Sequence, residues 1–455
     1  MDFLKDAVKK NDRYQKQYEK ENVIDPKMIK IVEDFIIKKQ LVCYGGIAIN
    51  NILPKTEQFY DYDIDIPDYD FFSLDAMKDA QELCDIFAKE EFVYHVESKS
   101  AFFFGTYKVF VNFIPIADIT QVHESFFKNV LKNSIIVDDI PYTNPDFLRM
   151  SLHQELSRPL GDVSRWEKIY TRMSILNKQF SISSSNNSNM IVDQGINTNV
   201  KDDYELVVDC LIQNNAIFNN MVAVKCLYKK YLSEKKSKNI TCKRTNLRKR
   251  LSEDQSIVFV ENFKALKKNL EALSIESLEI KTKKSIYKFV KGYHEIFIQN
   301  VFVCSIFELD SCMSYHKYEN SNKHIKVGNL DTIFHIYFAI ILMDDISINQ
   351  QKIKKTISSL YDLITQYDKI VMKYIQNNPD KHKELIRFNL PCLGNQPGYV
   401  DILKERFKKF KDMKNDKNSK EYKKWFFKYI PNIKQDKTKT IRKSKSKLNK
   451  TSKNK

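Results

Sequence analysis

Residues 41–53, LVCYGGIAINNIL, set the tightest limit on the fold. Four apolar residues, Leu41 to Tyr44, run into the glycine pair Gly45-Gly46, and Ile47 to Leu53 then reads as a helix stopped by Pro54. A short strand that enters a tight turn and leaves as a helix indicates an α/β or α+β domain. The flanks agree. Residues 26–40 predict a helix, with Pro26 in its first turn and Met28, Ile31, Phe35 and Ile36 at helical spacing. Residues 74–90 predict another, with Ser73 as its N-cap. Val93–Glu97 and Lys108–Ile114 read as strands, with Gly105 in a turn between them.

Further along, residues 181–189 read SISSSNNSN, a loop or linker. Residues 203–232 and 256–300 read as mostly helical, 301–315 as one or two strands, and 330–343 as an apolar helix. The expected organisation is an N-terminal helical segment (1–40), an α/β domain (41–180), a Ser/Asn-rich linker (181–200), a second mixed α/β domain (201–403) and a basic tail (404–455), disordered from about 434.

Charge separates the tail from the body. From Lys404 to Lys455 there are 21 Lys/Arg against 5 acids, +16, whereas the whole chain carries 75 against 58, leaving the body at +1. Such an asymmetry points to a polyanionic partner. A second basic patch, 225–250, holds 11 basic residues and one acid. The longest apolar stretch, Ile333 to Met343, is 11 residues, too short to span a bilayer, and the charged N-terminus has no signal-peptide core, so a soluble intracellular protein without membrane contact is expected. Eight cysteines show no CxxC pair and no zinc spacing, and the eight histidines show no metal spacing.

The densest chemistry is the acidic run Asp61, Asp63, Asp65, Asp68, Asp70. Carboxylates at i and i+2 of an extended segment share a face ~6.5–7 Å apart. Such pairs can bridge two divalent cations ~3.5–4 Å apart, as in two-metal phosphoryl transfer. Magnesium suits this all-oxygen donor set. Two overlapping pairs are open, Asp63/Asp65 and Asp68/Asp70, on opposite parity and separated by Pro67. Asp118, following an apolar strand, offers a third carboxylate in need of a cation. The Gly45-Gly46 turn lets backbone N–H groups approach phosphates.

The glycine turn, the DxD segment and a third Asp together resemble the polymerase-β-like nucleotidyltransferases. More narrowly, YGGIAINNIL, PDYDFFS, the ADI segment at Asp118 and RPLGDVSRWEKIYTR resemble the poly(A) polymerase catalytic subunits of large DNA viruses, the poxvirus and giant-virus group. The likeness spans about 26–180 and returns in RFNLPCLGNQPG at 387–398. It selects Asp68 and Asp70 over Asp63 and Asp65.

The resemblance implies template-independent transfer of AMP from ATP to an RNA 3′-OH, with release of pyrophosphate. Two Mg²⁺ or Mn²⁺ ions would be held by Asp68, Asp70 and Asp118, and the triphosphate by Gly45, Gly46 and Lys168. It also implies a second domain that copies the nucleotidyltransferase topology without its carboxylates. Partners would be RNA, ATP, and either a second copy of the chain or a separate processivity subunit. The setting would be the host cytoplasm, in viral factories or packaged virions. Two alternatives stay open at this point: a related transferase acting on tRNA ends or oligonucleotides, and a non-catalytic RNA-binding subunit.

Overall fold

The computed structural model describes residues 2–432 apart from 24, 63, 183–195, 197, 221–246, 248–250, 253, 284–291, 321–322, 344–345, 378–387 and 389. The basic patch at 225–250 (Leu247 excepted), most of the Ser/Asn run and the end of the tail lie outside the described residues. No described helix is long and apolar enough to cross a membrane.

The chain divides into two compact units, residues 1–143 with 401–455, and residues 144–400. These limits do not coincide with the linker expected at 181–200. Residues 144–180 go with the second unit because helix α6 (Pro145–Leu156) buries nearly its whole surface there. In that unit His153 Nδ1 and Asp331 Oδ1 lie 2.9 Å apart in a hydrogen bond, both fully buried.

The first unit is built on an eight-stranded sheet. Its strands are β1 (Val42–Cys43), β2 (Tyr69–Ser73), β3 (Val96–Ser100), β4 (Thr106–Val111), β5 (Ile114–Gln121), β6 (Ile135–Val137), β7 (Ile140–Tyr142) and, from the C-terminal segment, β16 (Lys428–Tyr429). Their order is β16-β3-β4-β5-β2-β1-β7-β6. Helix α2 (Lys27–Lys39) leads into β1, α3 (Gly45–Ile52) leaves it, and α4 (Ala76–Phe87) follows β2. Val32, Phe35, Ile36, Phe71, Phe72, Leu83 and Phe87 fill the core between helices and sheet.

Two readings are corrected here. Lys108–Ile114 is not one strand. The chain reverses at Asn112-Phe113, both at positive φ, and Asp118 lies within β5 rather than after a strand. Two residues of positive φ make the type I′ turn whose twist matches a hairpin, and the apolar run hides it. Ser73 is the last residue of β2, not a helix cap. Its Oγ accepts the Asp75 N–H at 2.9 Å and donates to Asp79.

The second unit carries β8 (Ile217–Phe218), β9 (Ser256–Val260), β10 (Leu278–Lys283), β11 (Tyr293–Ile298), β12 (Val301–Glu308), β13 (Met313–Asn320), β14 (Lys323–Gly328) and β15 (Cys392–Leu393). Only one described helix, Phe263–Glu271, falls in 256–300 where helix was expected throughout. Strands such as Ser256–Val260, buried on both faces, give a continuous apolar run with no period of two to read.

The sheet order, β10-β11-β12-β9-β8-β14-β13-β15, repeats the first unit. β10, β11, β12, β9, β8, β14 and β13 take the places of β3, β4, β5, β2, β1, β7 and β6, with every parallel and antiparallel pairing preserved. The details repeat as well. A register irregularity falls at Val109/Phe110 and at Ile296/Phe297. The hairpin turn at Asn112-Phe113 recurs at Gln299-Asn300, again with positive φ. The sequence-implied second copy of the topology is present.

The C-terminal segment closes the β3 edge. Arg406 donates to Ala101 O at 2.8 Å and to Ser100 Oγ at 3.1 Å, and Phe427 is buried against Tyr107. Phe427→Ala should cost about 3 kcal/mol in the first unit's stability. Limited proteolysis, read by mass spectrometry, should then cut within 399–432 where the parent protein resists.

Candidate active site

The open end of β1 creates the site. Tyr44 caps α3 in an extended conformation, and its N–H donates to Asp70 O at 2.9 Å. Gly45 follows at φ +74°. A β-carbon there would stand 2.7 Å from Asp70 Oδ2, so a side chain would displace the carboxylate. The Tyr44 side chain makes no capping hydrogen bond to the first turn of α3. Gly46 is the next residue of that turn. The excursion between Pro54 and Asp68 is tied down by buried Asn50, whose Oδ1 accepts from Phe59 N–H at 2.8 Å and Tyr60 N–H at 2.9 Å.

Parallel pairing of β2 with β5 sets Asp70 directly beside Asp118, and Asp68 precedes Asp70 by two residues on the same side. Antiparallel pairing of β4 with β5 sets Lys108 beside Asp118 on its other flank. Lys108 Nζ lies 2.7 Å from the buried Asp118 Oδ1, an ion pair. As they stand, no three His, Cys, Asp or Glu side chains among the described residues form a ready ligand set. Asp118 is held by the lysine instead.

The electrostatics follow. Asp68 keeps solvent contact, yet partial burial and then the charge of Asp118 push its carboxyl up to about 6. Burial also raises Asp118, against the pull of Lys108. For Lys108, burial disfavours the charge, but the bond to Asp118 and the charges of Asp118, Asp68 and Asp70 outweigh it and its pKa rises. Tyr44, stacked on Phe72 at 4.1 Å, is raised by burial and by the same three aspartates. Three carboxylates face one ammonium, leaving local charge of −2. That all-oxygen donor set with its excess negative charge, and a glycine clearing the space beside Asp70, fits divalent cations.

Of the competing carboxylates, Asp65 is spent on a turn. It accepts the Asp61 N–H at 2.9 Å and pairs with Lys16 at 3.4 Å. Asp63 lies outside the described residues. Lys168 is exposed on α7 (Trp166–Gln179) of the second unit and is not among the residues the first unit brings together. Sequence reasoning missed Lys108 and Tyr44. The signal for Lys108 was present: a lysine in phase with Thr106 and Phe110 in an otherwise apolar strand.

Residues 30–162 match the model of the poly(A) polymerase catalytic subunit family. The match covers 133 of the 455 residues. Over 160 residues the chain is 32% identical to a poly(A) polymerase catalytic subunit of Acanthamoeba polyphaga mimivirus, and the aligned part is 34% of this chain and 26% of that one. The counterpart from African swine fever virus (strain Badajoz 1971 Vero-adapted) is 29% identical over 160 residues, 34% of this chain and 33% of the viral protein. The chain thus spans about a quarter to a third of these relatives. The Megavirus polyadenylate synthase crystal structure is alike over 97% of this chain and 87% of its own, with TM-score 0.69 and 20% identity, a likeness of fold.

The matched segment contains Gly45, Gly46, Asp68, Asp70, Lys108 and Asp118, and ends before Lys168. In the second unit, the strand register puts Ile257 where Asp70 stands, Ser305 where Asp118 stands and Glu295 where Lys108 stands. Gln255 occupies the place of Asp68. Glu295 is buried and takes Ser347 N–H at 2.7 Å and Ser347 Oγ at 2.9 Å. The repeat keeps the backbone and lacks the carboxylate set.

Two predictions follow from this geometry. Because folding raises the Asp68 pKa from 3.8 to about 6, the folded state binds more protons than the unfolded across that window. Without divalent cations, stability should therefore fall as pH rises from about 4 to 6. Asp68→Asn should reduce that fall in a melting-temperature series, leaving the part that the raised Asp118 carboxyl contributes. Gly45→Ala should lower nucleotidyl transfer about 100-fold through the displaced Asp70, whereas Gly46→Ala should cost less in parallel kinetic assays.

Proposed function

We propose that the chain adds AMP from ATP to RNA 3′ ends without a template, releasing pyrophosphate. The observation that carries this reading is Asp70 beside Asp118, with Asp68 adjacent and the helix start at Gly45-Gly46, all inside the matched segment. Asp68, Asp70 and Asp118 would hold magnesium or manganese ions, which supply Lewis-acid stabilisation of charge on the transferring phosphoryl group.

The chain's own residues position and neutralise. Backbone N–H groups at Gly45 and Gly46 receive triphosphate oxygens, helped by the positive end of α3. Gly45 keeps that approach open and lets the Asp70 carboxylate sit against the turn. Lys108 keeps Asp118 ionised beside Asp70. Tyr44, pinned through its N–H to Asp70 O and through its hydroxyl to Thr120 Oγ1 at 2.9 Å, fixes the turn relative to β2 and β5. Lys168 keeps the triphosphate role implied by the resemblance, as a proposal.

The test is direct. Purified protein with an RNA primer, each nucleoside triphosphate in turn and Mg²⁺ or Mn²⁺ should extend the primer with ATP, read on a gel. Asp70→Ala and Asp118→Ala should each reduce extension at least 1,000-fold, whereas Asp65→Ala should retain substantial activity. Equal use of all four nucleotides, or addition of a short fixed sequence, would give the site to a tRNA-end or oligonucleotide transferase.

A further inference from the structure

The carboxylates stand at one end of a longer row. Register sets Lys428 against Lys99, Lys99 against Lys108, and Lys108 against Asp118. Residues in register share a face, and neighbouring strands lie about 4.8 Å apart. Three lysines therefore cross β16, β3 and β4 in even steps and finish at the ion pair with Asp118. The other face of these strands is core, with Ser98, Tyr107 and Val109 buried. The lysine face is open: the side chains of Lys428, Lys99 and Lys108 are 61%, 45% and 30% exposed. Lys99 Nζ lies 4.2 Å from the centre of the Phe110 ring, which holds that side chain along the sheet. Glu97 sits in the row's path, 2.9 Å from Lys99 and 3.4 Å from Lys428.

We propose that this face is the track for the sugar–phosphate backbone of single-stranded RNA, its 3′ end at the carboxylates and its upstream part crossing Lys99 and Lys428. The proposal rests on the polyadenylation reading and adds where the primer lies. Charge complementarity and continuity with the site select the occupant. A row one residue wide, stepped evenly and flanked by an aromatic ring, suits one polyanionic strand. Beyond Lys428 the sequence stays basic, with ten Lys/Arg and one acid in 434–455. Glu97 opposes the strand and limits how tightly it is held.

The experiment measures binding of a fluorescently labelled 15-nucleotide single-stranded RNA by anisotropy, from 50 to 300 mM salt, without ATP or metal. The full chain is compared with Lys99→Gln/Lys428→Gln and with Glu97→Gln. The double variant should weaken binding about tenfold near 100 mM salt and flatten the log–log salt slope by about 1.4, two phosphates at ~0.7 each. Glu97→Gln should tighten binding several-fold, an opposite sign that loss of structure cannot produce. AMP addition to a saturating trinucleotide primer should be unchanged in the double variant. An unchanged slope, or a Glu97→Gln protein that binds as before, overturns the track. Unchanged RNA binding with altered oligomeric state in sedimentation also overturns it and gives the face to a protein partner. If the parent protein adds no nucleotide to the short primer, the polyadenylation reading fails, while the salt slopes still judge the track.

Discussion

Like charge brought together on one sheet is the constraint around which the first unit is arranged. Carboxylates one strand spacing apart repel by on the order of 3 kcal/mol in a half-buried setting, more than a neutral hydrogen bond returns. Asp70 and Asp118 are held side by side by the β2–β5 register, and Asp68 joins them two residues away. The Asp118–Lys108 ion pair offsets part of the repulsion. An excess of negative charge remains, and burial together with the Asp118 charge lifts the Asp68 carboxyl.

The internal repeat separates what the fold requires from what the chemistry requires. Both units keep the strand order, the pairing senses, the irregularity in the fourth-strand pairing and the positive-φ hairpin. Those features follow from backbone hydrogen bonding and an apolar core, which tolerate many side chains. The carboxylate end of the row does not survive, although Lys281, beside Glu279 and over the Phe297 ring, recurs where Lys99, Glu97 and Phe110 stand. Where the first unit has Asp70, Asp118 and Lys108, the second has Ile257, Ser305 and Glu295. With no carboxylate cluster to balance, a lysine there has no partner to neutralise. A single buried glutamate is satisfied by Ser347 instead.

Much of the first unit was legible locally. The helix at 27–39, the strand into Gly45, the helix after it and the helix at 76–87 each carry their own pattern of apolar spacing and punctuation. The hairpin at Asn112-Phe113 was not, because turn residues of positive φ can be other than glycine. Nor were the strands of 256–300, because doubly buried strands lose the alternation that marks them. The tail showed its charge but not that residues up to 432 fold back onto the β3 edge. That contact depends on Arg406 and Phe427 meeting residues some 300 positions earlier.

For the site, the sequence by itself determined the ingredients: two glycines after a strand, a cluster of aspartates, and one more aspartate downstream. It could not choose by geometry between the two overlapping acid pairs, since both alternate correctly along an extended chain. Tertiary structure spends Asp65 on a turn and a contact with Lys16 while strand pairing carries Asp70 to Asp118, and Asp63 lies outside the described residues. Lys108, and the lysine row behind it, exist only as a consequence of register. Cross-strand neighbours are fixed by hydrogen bonds between segments distant in sequence, and no local pattern specifies which residue will face which.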